Sequence, residues 1–163
     1  MQKLLFAFAA ACGCLGAAAQ PGTFSNPVIP GDLPDPSVIR VGETYYACGT
    51  SSEWAPFYPL FTSRDLVNWT QAGHLFEEQP EWTRSSFWAP ELFPRDGRTY
   101  AYYTARRKSD GTSYIGVATA DRPEGPYTDH GPVVALGTEA IDAFVLEDDG
   151  KLYISWKAYG LDR

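Results

Sequence analysis

The apolar residues after position 32 fall in short runs rich in Tyr, Val, Ile, Thr and Trp, and clusters of Gly, Pro, Asp and Asn separate these runs. Almost none of the runs has the three- and four-residue spacing of an amphipathic helix. Short runs rich in β-branched and aromatic residues, bounded by turn residues, are typical of β-strands. The pattern therefore predicts an all-β protein.

Three segments of the chain repeat one plan: an apolar strand, a turn that ends in glycine, and an aromatic strand. They are DPSVIRVGETYYACGTS from Asp35, APELFPRDGRTYAYYTAR from Ala89 and IDAFVLEDDGKLYISWKA from Ile141. The turn glycines Gly42, Gly97 and Gly150 lie 55 and 53 residues apart. A second hairpin lies between successive repeats. Each period of about fifty residues therefore holds four strands, which is the blade of a β-propeller.

The repeats also divide the chain. They predict an N-terminal arm at 20–32, blade 1 at about 33–84, blade 2 at about 85–138 and a partial blade 3 at 139–163. Two blades and one hairpin cannot close a ring, because a propeller has at least four blades. We therefore expect the chain to be the N-terminal part, about two and a half blades, of a longer propeller.

The start of the chain has the features of a secretory signal peptide. Lys3 supplies the positive charge, residues 4–11 form an apolar run too short to span a bilayer, and three alanines precede Gln20. These features predict a signal peptide at 1–19 and a secreted or periplasmic protein. A lipid anchor through Cys12 is the alternative.

Charge and cysteine content exclude several classes of function. The formal net charge of −7 argues against nucleic acid or an anionic membrane as a partner, because binding phosphates needs a basic surface. Cys48 is the one cysteine outside the predicted signal peptide, so neither an internal disulfide nor a cysteine-based zinc site is expected. The two histidines, His74 and His130, fall near turns, and no metal site is predicted.

Carboxylates stand near the start of each repeated segment. Asp35, Glu91 and Asp142 lie 7, 6 and 8 residues before the turn glycine of their repeat, so their register is not identical. The first strand of each propeller blade lines the central channel, and we expect the three side chains to approach one end of it. Like charges gathered there raise the pKa of at least one group. Two carboxyl groups on opposite faces of a sugar ring are what glycoside hydrolysis requires.

Three segments resemble the signature segments of family 43 glycoside hydrolases: LPDPSVIRVGETYYACGTS, SSFWAPELF and AIDAFVLEDDGKLYISW. Members of this family are five-bladed β-propeller enzymes that attack arabinose- and xylose-containing plant polysaccharides with inversion. The resemblance runs from about Asn26 to the end of the chain. It implies a glycosidase with an oligo- or polysaccharide substrate and no organic cofactor.

The resemblance also implies roles for single residues. Asp35 matches the general base, and Asp142 matches the aspartate that orients the general acid and tunes its pKa, although Ala143 stands where a proline is common. Trp88 and Glu91 are expected in or beside the sugar pocket. Without the resemblance, the pattern favours a turn carboxylate at Asp35. A core side chain is the alternative for Trp88, and a structural role is the alternative for Glu91.

A second tryptophan is a weaker candidate for sugar binding. Trp54 lies in the polar loop SSEWAPFYP, and aromatic residues exposed on loops beside a channel are suited to binding ligands.

The general acid implied by the resemblance is a glutamate of a later blade, after Asp142, and we expect it to be missing here. Glu124 stands in a similar Glu-Gly-Pro motif but precedes Asp142. Its surroundings match the turn and outer strand that close the second blade, so a structural role is predicted. The chain as given should therefore be nearly inactive.

Two other functions stay open at this stage. One is a non-catalytic sugar-binding propeller, in which Trp88 and Trp54 bind a glycan and Asp35 only donates or accepts hydrogen bonds. The other is a related retaining propeller that acts on fructosyl linkages. The sequence does not distinguish arabinan, arabinoxylan and xylan, or exo from endo attack.

Overall fold

The computed structural model describes residues 24–159, and this part of the chain folds into ten β-strands joined by loops. The strands are β1 (Ser37–Val41), β2 (Thr44–Cys48), β3 (Phe57–Ser63), β4 (Trp69–Phe76), β5 (Thr83–Arg95), β6 (Arg98–Arg107), β7 (Ser113–Ala120), β8 (Thr128–Val134), β9 (Glu139–Asp148) and β10 (Lys151–Tyr159). The all-β prediction is confirmed. The predicted signal peptide at 1–19 and the anchor residue Cys12 lie outside the described residues.

The first blade is a four-stranded antiparallel sheet in the order β1-β2-β3-β4. Its first hairpin turns at Gly42, whose φ of 61° lies in the left-handed region that glycine adopts without steric cost. β3 is buried along most of its length, because it lies between β2 and β4 and packs on the second blade. The repeat therefore predicted this unit correctly.

The second blade consists of β5 to β8, and neighbouring strands again pair antiparallel. β5 begins at Thr83, two residues before the start predicted for this blade. The pairing of β5 with β6 shifts three times, between Thr83 and Ser85, between Ser85 and Trp88, and between Trp88 and Glu91. Such bulges change which residues of a strand reach each face.

The β9–β10 hairpin begins a third unit. Glu139 forms a parallel bridge with Ser113, which joins the hairpin to β7 at one point. The topology of two four-stranded blades and one further hairpin confirms the prediction of about two and a half blades. Among residues 24–159, no helix is long and apolar enough to cross a membrane.

An aromatic core lies between the first two blades. Tyr58, Phe87 and Tyr103 are almost completely buried, and the Tyr58 ring meets the other two edge-on, at centroid distances of 5.9 Å and 5.5 Å. The Tyr58 hydroxyl donates a 2.6 Å hydrogen bond to the backbone carbonyl of Thr104. Burial raises the pKa of the Cys48 thiol, which lies in the same core. This core fixes blade 1 against blade 2, and both blades carry candidate site residues.

Candidate active site

A residue with left-handed backbone geometry lies two residues before β1, another lies within β5 and another within β9. Asp35, Ala89 and Asp142 have φ angles of 48°, 32° and 57°. Such angles are uncommon outside glycine, so they mark equivalent positions in the three repeats. In the second blade the equivalent of Asp35 is therefore Ala89, and Glu91 lies two residues further along β5. The structure therefore corrects the expected register: Ala89, and not Glu91, lies eight residues before its turn glycine Gly97, as Asp142 lies eight residues before Gly150.

Thr50 makes two hydrogen bonds that hold Asp35 in place. The Thr50 hydroxyl donates a 2.9 Å hydrogen bond to Asp35 Oδ2, and the Thr50 backbone N–H donates to the carbonyl of Pro34, also at 2.9 Å. Thr50 is buried, whereas Asp35 is exposed. Prolines on both sides of Asp35 further restrict its backbone. Its carboxylate is thus presented to solvent in a defined orientation.

The two blade boundaries use the same threonine contact. Thr50 Oγ1 accepts a 2.7 Å hydrogen bond from the N–H of Ala89, and Thr104 Oγ1 accepts one of 3.2 Å from the N–H of Asp142. Each threonine thereby contacts the first strand of the next unit. Sequence reasoning missed both threonines, which end the segments TYYACGT and TYAYYT eight and seven residues after their turn glycines.

These contacts bring several predicted site residues into one band. Asp35 bonds Thr50, and Thr50 bonds Ala89, the neighbour of Trp88. Trp88 pairs across the ladder with Thr104, which bonds Asp142. This band of contacts therefore runs from blade 1 across blade 2 to the third unit. Asp142 is exposed on it, like Asp35.

Glu91 differs from the two exposed aspartates, because it is half-buried and its carboxylate bonds the first residue of β1. Oε2 accepts a 2.8 Å hydrogen bond from the hydroxyl of Ser37, and Ser37 Oγ accepts a 3.0 Å bond from the N–H of Leu92. Burial raises the pKa of Glu91, and hydrogen bonding from Ser37 and the backbone of Val145 partly offsets the increase. Glu91 thus contacts neighbouring strands at a half-buried position.

Trp88 is half-buried, and Arg106 lies over its indole ring. The guanidinium carbon is 5.7 Å from the ring centroid, within the range of a cation–π contact. Arg106 also forms a 3.0 Å ion pair with Glu139, the first residue of β9. The ring is therefore held from one side by a cation that is itself anchored to the third unit.

Trp54 projects from a loop that is tied to β5. Its side chain is 80% exposed, and Ser52, two residues earlier, bridges Phe87, the residue before Trp88. Glu53 Oε1 accepts a 2.9 Å hydrogen bond from the N–H of Ser86. The loop therefore holds Trp54 beside the segment that carries Trp88.

Glu124 lies in the turn between β7 and β8 and accepts a 2.9 Å hydrogen bond from the hydroxyl of Tyr46. Burial raises the pKa of Tyr46, and the acceptor Glu124 adds to the increase. This contact joins the second blade to β2, and the structural role of Glu124 stays a prediction. Among residues 24–159, no group of three or more His, Cys, Asp or Glu side chains is arranged to hold a metal ion.

Comparison with known proteins agrees with this geometry. The family model described as "Glycosyl hydrolases family 43" matches residues 24–162. A xylan 1,3-β-xylosidase from Vibrio sp is 32% identical over 142 residues, which cover 81% of this chain and 26% of that protein. A non-reducing end α-L-arabinofuranosidase from Bacteroides ovatus is 35% identical over 140 residues, covering 80% of this chain and 25% of that protein.

A solved structure is similar at the level of the backbone. The crystal structure of the BlXynB protein from Bacillus licheniformis has a TM-score of 0.71 and 31% identity, covering 82% of this chain and 29% of that chain. The chain thus spans about a quarter of the length of the two curated relatives described above.

Proposed function

Because the chain belongs to the glycosyl hydrolases of family 43, we propose that the protein hydrolyses O-glycosidic bonds of arabinose- or xylose-containing plant polysaccharides with inversion. Asp35 is the general base in this proposal. The observation that carries it is the exposed Asp35 carboxylate, oriented by the Thr50 hydroxyl at the start of β1.

The geometry of Asp35 suits the activation of water. Thr50 occupies Oδ2, and within the described part of the chain Oδ1 accepts no hydrogen bond from protein. Oδ1 can therefore accept a hydrogen bond from a water molecule and take its proton as the water attacks the anomeric carbon. A base with one oxygen fixed and the other open to solvent loses little freedom when the substrate arrives.

The proton for the leaving group comes from a second carboxyl group. We assign this role to a glutamate of a later blade, C-terminal to Asp142, as the family resemblance implies. Asp142 orients that acid and tunes its pKa. Inversion calls for a separation of about 6.5–9.5 Å between base and acid, which leaves room for the attacking water.

Trp88 and Trp54 form the sugar-binding surface in this proposal. The C–H groups of a pentose ring pack well against an aromatic face, and Trp54 exposes most of its indole. The similar proteins named above are a xylosidase and an arabinofuranosidase, which supports a pentose in the site without choosing between the two sugars.

We also propose that the protein is exported through the signal peptide at 1–19, with cleavage before Gln20. Mass spectrometry of the protein recovered from the culture medium or the periplasm tests this. A mature chain that starts at Gln20 supports the proposal, and a diacylated Cys12 at the N-terminus contradicts it in favour of the lipid anchor.

The test of the activity uses the complete protein, expressed from its full coding sequence. Proton NMR follows the anomer released from p-nitrophenyl α-L-arabinofuranoside and β-D-xyloside, and an inverted product is expected. Asp35→Asn should lower kcat by about 10²- to 10⁴-fold. Asp149→Asn is the matched control, because Asp149 is also exposed, with a φ of 47°, in the β9–β10 turn.

Three outcomes contradict the proposal. Binding of oligosaccharides without product indicates a sugar-binding propeller, and a retained product indicates a retaining mechanism, in which Asp35 is not a general base. An Asp35→Asn variant as active as Asp149→Asn removes Asp35 from the chemistry.

A further inference from the structure

Side chains from three strands meet at the indole ring of Trp88. Trp88 lies in β5, Arg106 lies near the end of β6, and Glu139 is the first residue of β9. The guanidinium carbon of Arg106 is 5.7 Å from the centroid of the Trp88 ring. Nη2 of the same side chain donates a 3.0 Å hydrogen bond to Glu139 Oε1. Arg106 therefore connects the tryptophan of blade 2 to the third unit.

The backbone on both sides of Trp88 is irregular. The pairing of β5 with β6 shifts before and after this residue, and Ser86 and Ala89 have left-handed φ angles of 60° and 32°. A regular strand sends successive side chains to opposite faces, and bulges interrupt this alternation. Trp88 is also only half-buried, so it lacks the complete packing that holds a core ring. Contacts from neighbouring side chains therefore decide where the ring lies.

Arg106 is itself held by two acceptors. Nη1 donates a 3.4 Å hydrogen bond to the carbonyl of Gly111, while Nη2 bonds the carboxylate of Glu139. The backbone brings the ion pair together, because Ser113 pairs with Arg106 in the ladder of β6 and β7 and also forms the bridge to Glu139. A guanidinium group bonded in this way has little freedom to leave the ring.

The position of Arg106 restricts how a sugar can bind. Arg106 lies over one face of the indole, so a sugar that stacks on Trp88 must use the opposite face. A side chain that is ordered only when the ligand arrives costs affinity, because its conformational entropy is lost on binding. A ring that is already held avoids this cost.

We propose that Arg106 is a positioning residue, which holds one face of the Trp88 ring and thereby prepares the opposite face for the sugar. Arg106 does not touch the substrate. Glu139 is its counterion and keeps the guanidinium group over the ring. The proposal rests on the function proposed above, in which Trp88 binds the sugar, and adds to it a determinant of substrate affinity.

The first experiment measures kcat and KM of the complete protein on the two p-nitrophenyl substrates. Arg106→Gln should raise KM by about 3- to 10-fold, because the ring must then be ordered when the sugar binds. The change in kcat should be less than about twofold, since the sugar loses binding equally in the ground state and the transition state. Arg106→Lys keeps the charge without the planar group and should recover part of the affinity. Glu139→Gln should fall between wild type and Arg106→Gln.

Arg107→Gln is the matched control. Arg107 is the next residue of β6 and makes the same two kinds of contact with other partners. Its guanidinium carbon lies 4.5 Å from the centroid of the Tyr114 ring, and the side chain forms an ion pair with Asp110. Arg107→Gln should therefore keep the kcat and KM of the wild type.

Two kinetic outcomes overturn the proposal. One is an equal KM in Arg106→Gln and Arg107→Gln. The other is a fall in kcat with KM unchanged, which indicates that Arg106 acts on β9 and Asp142 and not on the ring. If Arg106→Gln does not fold, Arg106→Lys and Glu139→Gln decide the question by the same two criteria.

Fluorine NMR of the complete protein labelled with fluorotryptophan separates this proposal from the proposed function. The signal that disappears in Trp88→Phe identifies Trp88. Relaxation of this signal should show a more mobile ring in Arg106→Gln and an unchanged ring in Arg107→Gln. If the wild-type protein shows no glycosidase activity, the proposed function fails, and relaxation still tests whether Arg106 holds the ring. Unchanged relaxation in Arg106→Gln overturns the positioning role whatever the activity.

Discussion

The boundary between blades 1 and 2 and the boundary between blade 2 and the third unit are built differently. At the first boundary the buried side chains are large and aromatic, with Phe57 and Phe87 at a centroid distance of 4.1 Å. At the second the buried residues are smaller, namely Ile115, Ala140 and Ala143. A cavity of about 480 Å³ also lies beside the second boundary, lined by residues that include Tyr102 and Val145.

The two aspartates reflect this difference. Thr50 holds Asp35 through two hydrogen bonds, one to the Asp35 side chain and one to the carbonyl of the preceding residue, Pro34. Thr104, by contrast, contacts Asp142 only through the backbone N–H of Asp142 and not through its side chain. The position of Asp35 is therefore determined within blade 1, whereas that of Asp142 depends on contacts between blades. The two aspartates are thus positioned by unequal means.

The largest expected effect is a loss of stability from a substitution at the boundary between blades 1 and 2. Phe87→Ala should lower the free energy of unfolding by about 3–5 kcal/mol, because Phe87 is 1% exposed and its removal leaves a cavity in the aromatic core. Ile115→Val at the second boundary should cost about 0.5–1.5 kcal/mol. Urea unfolding of the complete protein measures both. Equal losses would show that the aromatic boundary contributes no more than the aliphatic one.

The two threonines give the next effect. Thr50→Val leaves the Ala89 N–H unpaired and frees Asp35, so it should cost about 1–3 kcal/mol and lower kcat. Thr104→Val should cause a smaller loss of stability and of kcat, because water can reach the exposed Asp142. Thr50→Ser, which keeps the hydroxyl, is the control and should behave like wild type. The comparison between the two boundaries is wrong if Thr104→Val loses more activity than Thr50→Val.

The ionisation of Glu91 predicts a dependence of stability on pH. Burial raises its pKa above the ordinary value of 4.5. The folded state therefore favours the protonated form, and the resulting stability is complete below pH 4.5 and decreases as pH rises through the raised pKa. Glu91→Gln lacks this decrease, so wild type should lose stability relative to it over that window. Thermal unfolding against pH measures the difference, and Glu43→Gln should show none.

The smallest effect concerns the contact between Tyr46 and Glu124. Tyr46→Phe removes one hydrogen bond and should cost about 0.5–1.5 kcal/mol without changing kcat. Glu124→Gln retains an acceptor and should leave both stability and kcat close to wild type. Chemical unfolding and steady-state kinetics check the two variants. A large fall in kcat for Glu124→Gln would contradict the structural role of this glutamate.

The sequence was sufficient to predict the fold class and the repeated unit. Strand propensity and turn glycines act over a few residues, so the hairpins at Gly42, Gly97 and Gly150 could be recognised from local pattern. Asp35 and Asp142 could be singled out in the same way, because each stands at a recurring place in its repeat. The irregular course of β5, with three shifts in its pairing, left no signal in the local pattern.

Only the tertiary structure decided which residues support the site. The sequence alone determined the blades, the aspartates and the tryptophans, because these follow from local propensity and from the resemblance to a family. The left-handed φ of Ala89 and its contact with a threonine hydroxyl made Ala89, and not Glu91, the counterpart of Asp142. The threonine contacts and the bond from Ser37 to Glu91 join residues 38 to 54 positions apart. Such contacts depend on how blades pack, and local pattern carries no information about that packing.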